Sequence, residues 1–286
     1  MLSWTRHERA IASPAEARVR PTGTASLRRE LNAFTIIAHR DLLKLFRDMP
    51  RLVSSLIFPL IFIGILGGTF EANLGANLGY SFLTFTFTGV LAQTLFQSSA
   101  IGIVSLIEDR ENDFSQEIFV SPVSRHSIVF GKILGEALVS MVQGVGIVIF
   151  AFVIGIPLSL TQVALLLLVS FVVCIFGGAF GVVMMANLNS QRTANQIFPF
   201  VMLPQYFLAG VFAPIKVLPW YLDILSRISP MRYAVDLMRN AFYAGHADYS
   251  KVVLTSPITN LTVIGALFVV FLVIGTWIFV RKEQNR

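Results

Sequence analysis

The chain has 286 residues, 55% hydrophobic and only 13% charged, with a mean hydropathy of +0.72. Soluble domains carry roughly 25% charged residues, so this composition, with 25 Phe, excludes an ordinary soluble globule and indicates an integral membrane protein. The net charge of +6 does not point to nucleic acid, because the basic residues cluster beside apolar runs, as membrane flanks do. The single cysteine, Cys174, lies inside an apolar run, where it packs as a small hydrophobe and has no partner for an intrachain disulfide.

In chain order, residues 1–24 are polar, carry Arg6, Arg9, Arg18 and Arg20, and lack an apolar period. They read as a disordered cytoplasmic tail and contain no apolar core of the length a cleaved signal requires. From residue 25 to residue 50 the pattern changes. Leu27, Leu31, Phe34, Ala38, Leu42, Leu45 and Met49 recur at steps of three and four, with Arg28, Arg29, Arg40, Lys44 and Arg47 mostly off that stripe. This spacing predicts an amphipathic helix lying at the headgroup level. Pro50 then breaks it and lets the chain turn into the bilayer.

Residues 51–286 form the membrane domain. A hydrocarbon core of about 30 Å needs roughly 20 helical residues. Six apolar runs answer to that length: 52–70, 80–107, 128–156, 163–186, a short one at 197–212, and 258–280. Strand-type alternation is absent, which argues against a barrel. The expected fold is therefore an all-α integral membrane protein with six transmembrane helices.

Lys and Arg set the orientation. Arg6 to Arg51 place a dense basic block before the first run, Arg110 and Arg125 lie after the second, Arg192 after the fourth, and Arg281, Lys282 and Arg286 close the chain. The loops 71–79 and 157–162 carry none. Both termini and the loop after the second run are thus expected in the cytoplasm. Residues 213–257 must then be external despite Lys216, Arg227, Arg232, Arg239 and Lys251. Pro214, Pro219 and Pro230 divide this segment into two short helices, 220–228 and 231–243, expected to re-enter the outer leaflet, with a folded external cap as the alternative.

Several polar and small residues lie within the runs. Gln93 and Gln97 are one helical turn apart, below Thr86, and Gln143 follows in the third run. Amides in hydrocarbon need partners, so these side chains either bond between helices or line a substrate path with Phe82, Phe85 and Phe96. Lys132 and Glu136, four apart, are expected to pair. The Gly64/Gly68, Gly131/Gly135 and Gly177/Gly181 pairs have the spacing that allows close helix approach, within the chain or across a dimer. No series of acids and histidines crosses the runs, which argues against a proton-coupled carrier. Four scattered histidines give no metal site, and Gly131-Lys132 lacks the flanking residues of a phosphate loop. No enzymatic activity is expected of this chain, and no cofactor on it.

The stretch 108–125, EDRENDFSQEIFVSPVSR, differs from everything around it. Asp113 can cap a short helix, with Gln116 three residues on. Phe114, Ile118 and Phe119 then share part of one surface, rimmed by Glu111 and Glu117. Ser121-Pro122 ends it and Ser124 can cap the next helix. A short apolar-anchored helix between two membrane helices can serve as a groove ligand for a soluble partner, or it is a solvated turn.

Two motifs carry a resemblance. The first is Ile118-Phe119-Val120-Ser121-Pro122-Val123-Ser124-Arg125, followed by Ile128 and Gly131-Lys132-Ile133-Leu134. The second is Leu208-Ala209-Gly210-Val211-Phe212-Ala213-Pro214-Ile215, then Leu218-Pro219, then Ser229-Pro230-Met231-Arg232-Tyr233-Ala234-Val235-Asp236 and Arg239. From about Leu27 onward the chain resembles the membrane subunit of ABC exporters of the type-2 (type V) permease family, including the daunorubicin-resistance-like permeases. It departs from the family pattern at Asp113-Phe114, where Gly-Thr is usual.

The resemblance implies two permease copies, most simply a homodimer, each docking a coupling segment onto one of two ATPase subunits that bind ATP and Mg. On this chain the coupling residues would be Glu111, Phe114, Glu117, Ile118, Phe119, Ser121, Pro122 and Arg125. The family's path-lining second and fifth spans select Phe82, Phe85, Thr86, Gln93, Gln97, Asn195, Gln196 and Phe200. The expected location is a bacterial plasma membrane, multi-pass. The expected role is export of an amphipathic drug, lipid or natural product, with efflux and drug resistance as its setting. A glycan or lipid-linked glycan exporter and a non-transporting scaffold are the alternatives.

Overall fold

The computed structural model describes residues 35–36, 39–107, 125–186, 188 and 190–284. The expected tail and the coupling residues Glu111, Phe114, Glu117, Ile118, Phe119, Ser121 and Pro122 lie outside these. Arg125 opens a helix, but its side chain is not among those described.

The described chain is helical and holds no strand among the described residues. Helix α1 (residues 39–47) is the end of the expected interfacial helix. Helix α2 (Met49–Ile61) runs into a π-helical turn (Phe62–Gly67) and then α3 (Gly68–Leu78). Pro59 lies in the last turn of α2, where it withholds an N–H from the helical ladder just before the π turn. Gly79, at φ 68°, ends α3 in the left-handed region. Helix α4 (Phe82–Gly102) starts at Ser81, whose hydroxyl accepts from Thr84 N at 3.4 Å. Helices α5 (Arg125–Val153) and α6 (Leu160–Ala186) follow. Then come α7 (Gln191–Leu208), α8 (Trp220–Ile228), α9 (Pro230–Tyr243), the single turn α10 (Tyr249–Val252) and α11 (Pro257–Gln284).

Among the described residues, five helical stretches are long and apolar enough to cross a membrane: Leu52–Asn73, Phe82–Ile107, Ser127–Val153, Leu160–Ala186 and Pro257–Ile278. They match five of the six expected runs to within a few residues. The sixth, 197–212, corresponds to α7, which does not qualify. Its first turns are polar (Gln191, Arg192, Thr193, Asn195, Gln196), Pro199 and Pro204 interrupt it, and it stops at Gly210, where φ is 71°. A Cβ on Gly89, about two turns into α4, would lie 2.5 Å from Val211 O, so the end of α7 is seated inside the bundle rather than at its rim.

Helix α4 is the centre of the fold. Its side chains from Phe85 to Phe96 are buried without exception. A helix apolar on all sides belongs at the core of a bundle, and α5, α6 and α9 pack around it. Close approach to α6 depends on missing side chains. A Cβ at Gly177 would lie 2.3 Å from Phe96 O, and one at Gly181 would lie 2.4 Å from Ala100 O. This glycine pair therefore serves helix contact within the chain. By contrast, α2, the π-helical turn after it and α11 expose large apolar residues, including Val53, Ile57, Ile65, Val269 and Val273.

The bundle has two ends. At the distal end, α8 and α9 form the two short helices expected from the proline spacing, with Pro230 at the first position of α9. Every residue of α9 from Ala234 to Tyr243 is buried. Helix α9 is therefore an inserted core element. At the proximal end, α1 lies against the beginning of α5.

Candidate functional site

A cavity of about 600 Å³ occupies the proximal half of the bundle. Helix α1 contributes Asp41, Lys44 and Leu45; α2 contributes Ser54, Ser55, Phe58 and Pro59. Gln93, Thr94, Gln97, Ser98 and Ser105 line it from the α4 span, Lys132, Glu136 and Gln143 from α5, and Gln191 and Asn195 from α7. About half of the described lining residues carry a hydroxyl or an amide, Asp41, Lys44, Lys132 and Glu136 are charged, and Phe58 is the one aromatic among them. Such groups are costly at membrane depth unless they meet a polar partner.

The amides are partly ordered by one another. Gln93 Nε2 donates to Gln97 Oε1 at 2.7 Å, and the Tyr206 hydroxyl on α7 donates to the same oxygen at 2.5 Å. Gln93 Oε1 is buried and has no hydrogen-bond partner among the described residues. The sequence placed Gln93 and Gln97 on one face of α4; their bond to each other lies within that helix, and Tyr206 supplies the bond between helices. Tyr206 was not singled out in the sequence, because one tyrosine on a proline-broken helix gives no periodic signal.

A buried ionic cluster closes one side of the cavity. Lys132 Nζ lies 2.6 Å from Asp41 Oδ2 and 2.7 Å from Glu136 Oε1. Asp41, Lys132 and Glu136 are 5%, 2% and 8% exposed. Arg40 approaches the other Asp41 oxygen at 3.3 Å. The Lys132–Glu136 pair was legible from its four-residue spacing; Asp41 was not. On α1 the buried positions are Asp41 and Leu45, one turn apart, while Leu43 and Phe46 are exposed. The face of α1 that meets the protein therefore carries an acid.

Of the path residues selected from the sequence, Gln93, Gln97 and Asn195 come together in the cavity. Phe82, Phe85 and Thr86 are buried nearer the distal end. Phe85 packs under the Arg239 guanidinium, 3.7 Å from its ring centre, and Phe82 meets Phe70 and Phe85. Thr86 Oγ1 is buried with no partner among the described residues. Gln196 and Phe200 are exposed on α7, Phe200 at 80%. No group of three metal-ligating side chains occurs among the described residues.

An apolar bundle built on five spanning helices, with a polar chamber set between them, defines a polytopic membrane protein with room for a passenger. Residues 32–243 match the family model described as "ABC-2 type transporter". The chain belongs to the ABC-2 type transporter permease family. It is 26% identical over 218 residues to the protein named transport permease ycf38 of Cyanophora paradoxa, covering 75% of this chain and 74% of that one. It is 25% identical over 197 residues to Nodulation protein J of Rhizobium meliloti, covering 67% and 73%. It is 22% identical over 198 residues to the inner membrane transport permease YadH of Escherichia coli, covering 68% and 74%. The chain is a membrane transport permease.

Proposed function

We propose that this permease is the transmembrane subunit of an ATP-driven exporter, and that the proximal cavity receives its cargo. The observation that carries this reading is the 600 Å³ chamber lined by amides and hydroxyls inside an otherwise apolar bundle. The basic residues before α2 and at the end of α11, Arg281 and Lys282, support a cytoplasmic proximal end. The sixth crossing is completed by α7 together with the inserted α8–α9 pair, rather than by one continuous helix.

ATP and Mg are bound by two separate ATPase subunits, and two permease copies stand side by side in a bacterial plasma membrane. Residues 108–125 dock each copy onto its ATPase through Phe114, Ile118 and Phe119 within the acidic rim of Glu111 and Glu117. Because that segment leads directly into α5, movement of the ATPase reaches the cavity wall. The cargo is amphipathic: its polar part bonds to Gln93, Gln97, Gln143 and Asn195, and its apolar part remains among aliphatic and Phe side chains. A glycan or lipid-linked glycan is the second reading. The hydroxyls and amides of the wall favour it, whereas the scarcity of aromatic residues on which sugar rings could stack does not.

The test is reconstitution with the cognate ATPase and measurement of ATP-dependent transport over a drug, lipid and glycan panel. Phe119→Asp is expected to uncouple ATP hydrolysis from transport while the chain still inserts. Failure of any ATPase to co-purify overturns the exporter reading in favour of a scaffold, and unchanged transport by Phe119→Asp overturns the docking segment.

A further inference from the structure

We infer that Asp41, Lys132 and Glu136 are positioning residues, forming a transmission joint that moves α1, α5 and the end of α4 together when the ATPase acts. The inference rests on the exporter reading above and names the part of the chamber wall that carries the stroke.

Three observations converge on it. First, the joint lies at the meeting point of separate elements. Asp41 comes from α1, and Lys132 and Glu136 come from the first turns of α5. Helix α4 is tied to the same cluster by contact: a Cβ on Gly102 would lie 1.9 Å from Glu136 Oε2, and Ser105 Oγ, bonded to Gly102 O at 2.6 Å, lies 3.5 Å from Glu136 Oε1. Second, α5 begins at Arg125, where the proposed docking segment ends, so Lys132 is about two helical turns from it. Third, Asp41, Lys132 and Glu136 all line the cavity. A displacement of the start of α5 therefore alters the chamber through these three side chains.

The energetics also favour a joint over a mere fastener. Burying an ion pair removes strongly hydrated groups from water, and well-packed apolar residues usually stabilise as well or better. What an ionic cluster provides instead is a discrete geometry: the lysine meets both carboxylates in one arrangement and loses them in others. Cutting the link at Asp41 leaves Lys132 paired with Glu136 on their own helix. The buried charges of α5 stay balanced, and only the connection to α1 is lost.

That asymmetry supplies the test. Wild-type permease, Asp41→Asn and the exchange Asp41→Lys with Lys132→Asp are each reconstituted with the cognate ATPase in vesicles. ATP hydrolysis and transport are measured on the same preparation. Asp41→Asn is expected to assemble and to lower the transport per ATP about tenfold at saturating cargo, with the cargo concentration for half-maximal transport unchanged, which loss of a mere cargo contact would raise. The exchange restores one lysine between two carboxylates and is expected to recover much of that ratio. A wild-type transport-to-hydrolysis ratio in Asp41→Asn overturns the joint and leaves the exporter reading intact. Parallel loss of assembly and hydrolysis in Asp41→Asn, without recovery in the exchange, also overturns it, by assigning the cluster to folding. Wild-type vesicles that show no ATP-dependent transport overturn the exporter reading and the joint with it.

Discussion

At the distal end, Asp236 is 1% exposed and its two oxygens receive Leu254 N at 2.7 Å, Thr255 N and Oγ1 at 2.9 Å each, and Asn260 Nδ2 at 2.7 Å. At the proximal end, Asp41 is 5% exposed and holds Lys132 across a helix boundary beside an open chamber. The distal carboxylate is saturated with donors, two of them backbone, drawn from the entry to α11. Nearby, Arg239 donates to Gly210 O at 2.6 Å and lies over Phe85, while Gln162 at the start of α6 donates to Phe242 O at 2.8 Å. These bonds fasten α4, α6, α7, α9 and α11 into one block. The proximal cluster is side chain to side chain, crosses fewer elements and has empty space beside it. Saturated backbone bonding fixes a structure, whereas a compact ion cluster at a cavity edge leaves a discrete second arrangement within reach.

The sharpest way to break this contrast is Asp236→Ala. It strips the acceptor from two backbone N–H groups and a buried amide, so a loss of at least about 3 kcal/mol and failure to accumulate folded protein are expected. Thermal unfolding in detergent checks it; a melting temperature near wild type would show that the distal block does not depend on its central acid.

Gly177→Ala acts on the α4–α6 contact that both ends share. The added carbon would sit 2.3 Å from Phe96 O, so the helices must part at a cost of about 2 kcal/mol. The same melt should report it. Unchanged stability would mean that α6 slides freely on α4.

A smaller effect is expected at the chamber. Gln97→Leu removes the acceptor shared by Gln93 and the Tyr206 hydroxyl, at a stability cost of about 1 kcal/mol. Its main consequence should be a changed transport profile across the compound panel. An identical profile would return Gln97 to helix packing.

The smallest effect is assigned to the surface of the distal end. Partial desolvation pushes the Asp223 carboxyl up, but hydrogen bonds and charge from Arg227 and Arg232 outweigh this and hold it below its ordinary value. The pair with Arg227 is solvent-exposed, with the arginine side chain 67% open, and such pairs contribute little. Arg227→Ala should leave the melting temperature unresolved from wild type near neutral pH. A clear drop would extend the rigid block to α8.

Composition, run length and proline spacing determined much of this molecule. Twenty-residue apolar runs can only be helices in lipid, since every backbone group must be satisfied within the segment, and five of them are where the sequence put them. Pro219 and Pro230 punctuate α8 and α9 because proline is favoured at a helix start, where its missing N–H has no partner to lose. The four-residue spacings also announced Lys132 with Glu136 and put Gln93 and Gln97 on one face, because periodicity reports which side chains share one helix face.

Only the tertiary structure decided what lies opposite those faces. It brought Asp41 to Lys132 from 91 residues away, seated the Tyr206 hydroxyl on Gln97, and pressed Gly177 and Gly181 against the α4 backbone. It also separated Gln93, Gln97 and Asn195, which line the chamber, from Phe82, Phe85 and Thr86, which are packed above it. It stopped α7 part-way up the bundle, where a glycine in the left-handed region follows a helix that the hydropathy pattern alone would have carried across. Local sequence encodes helix, face and stop. Contact across helices depends on which of many apolar surfaces fit closest, and that is settled only when all of them pack at once.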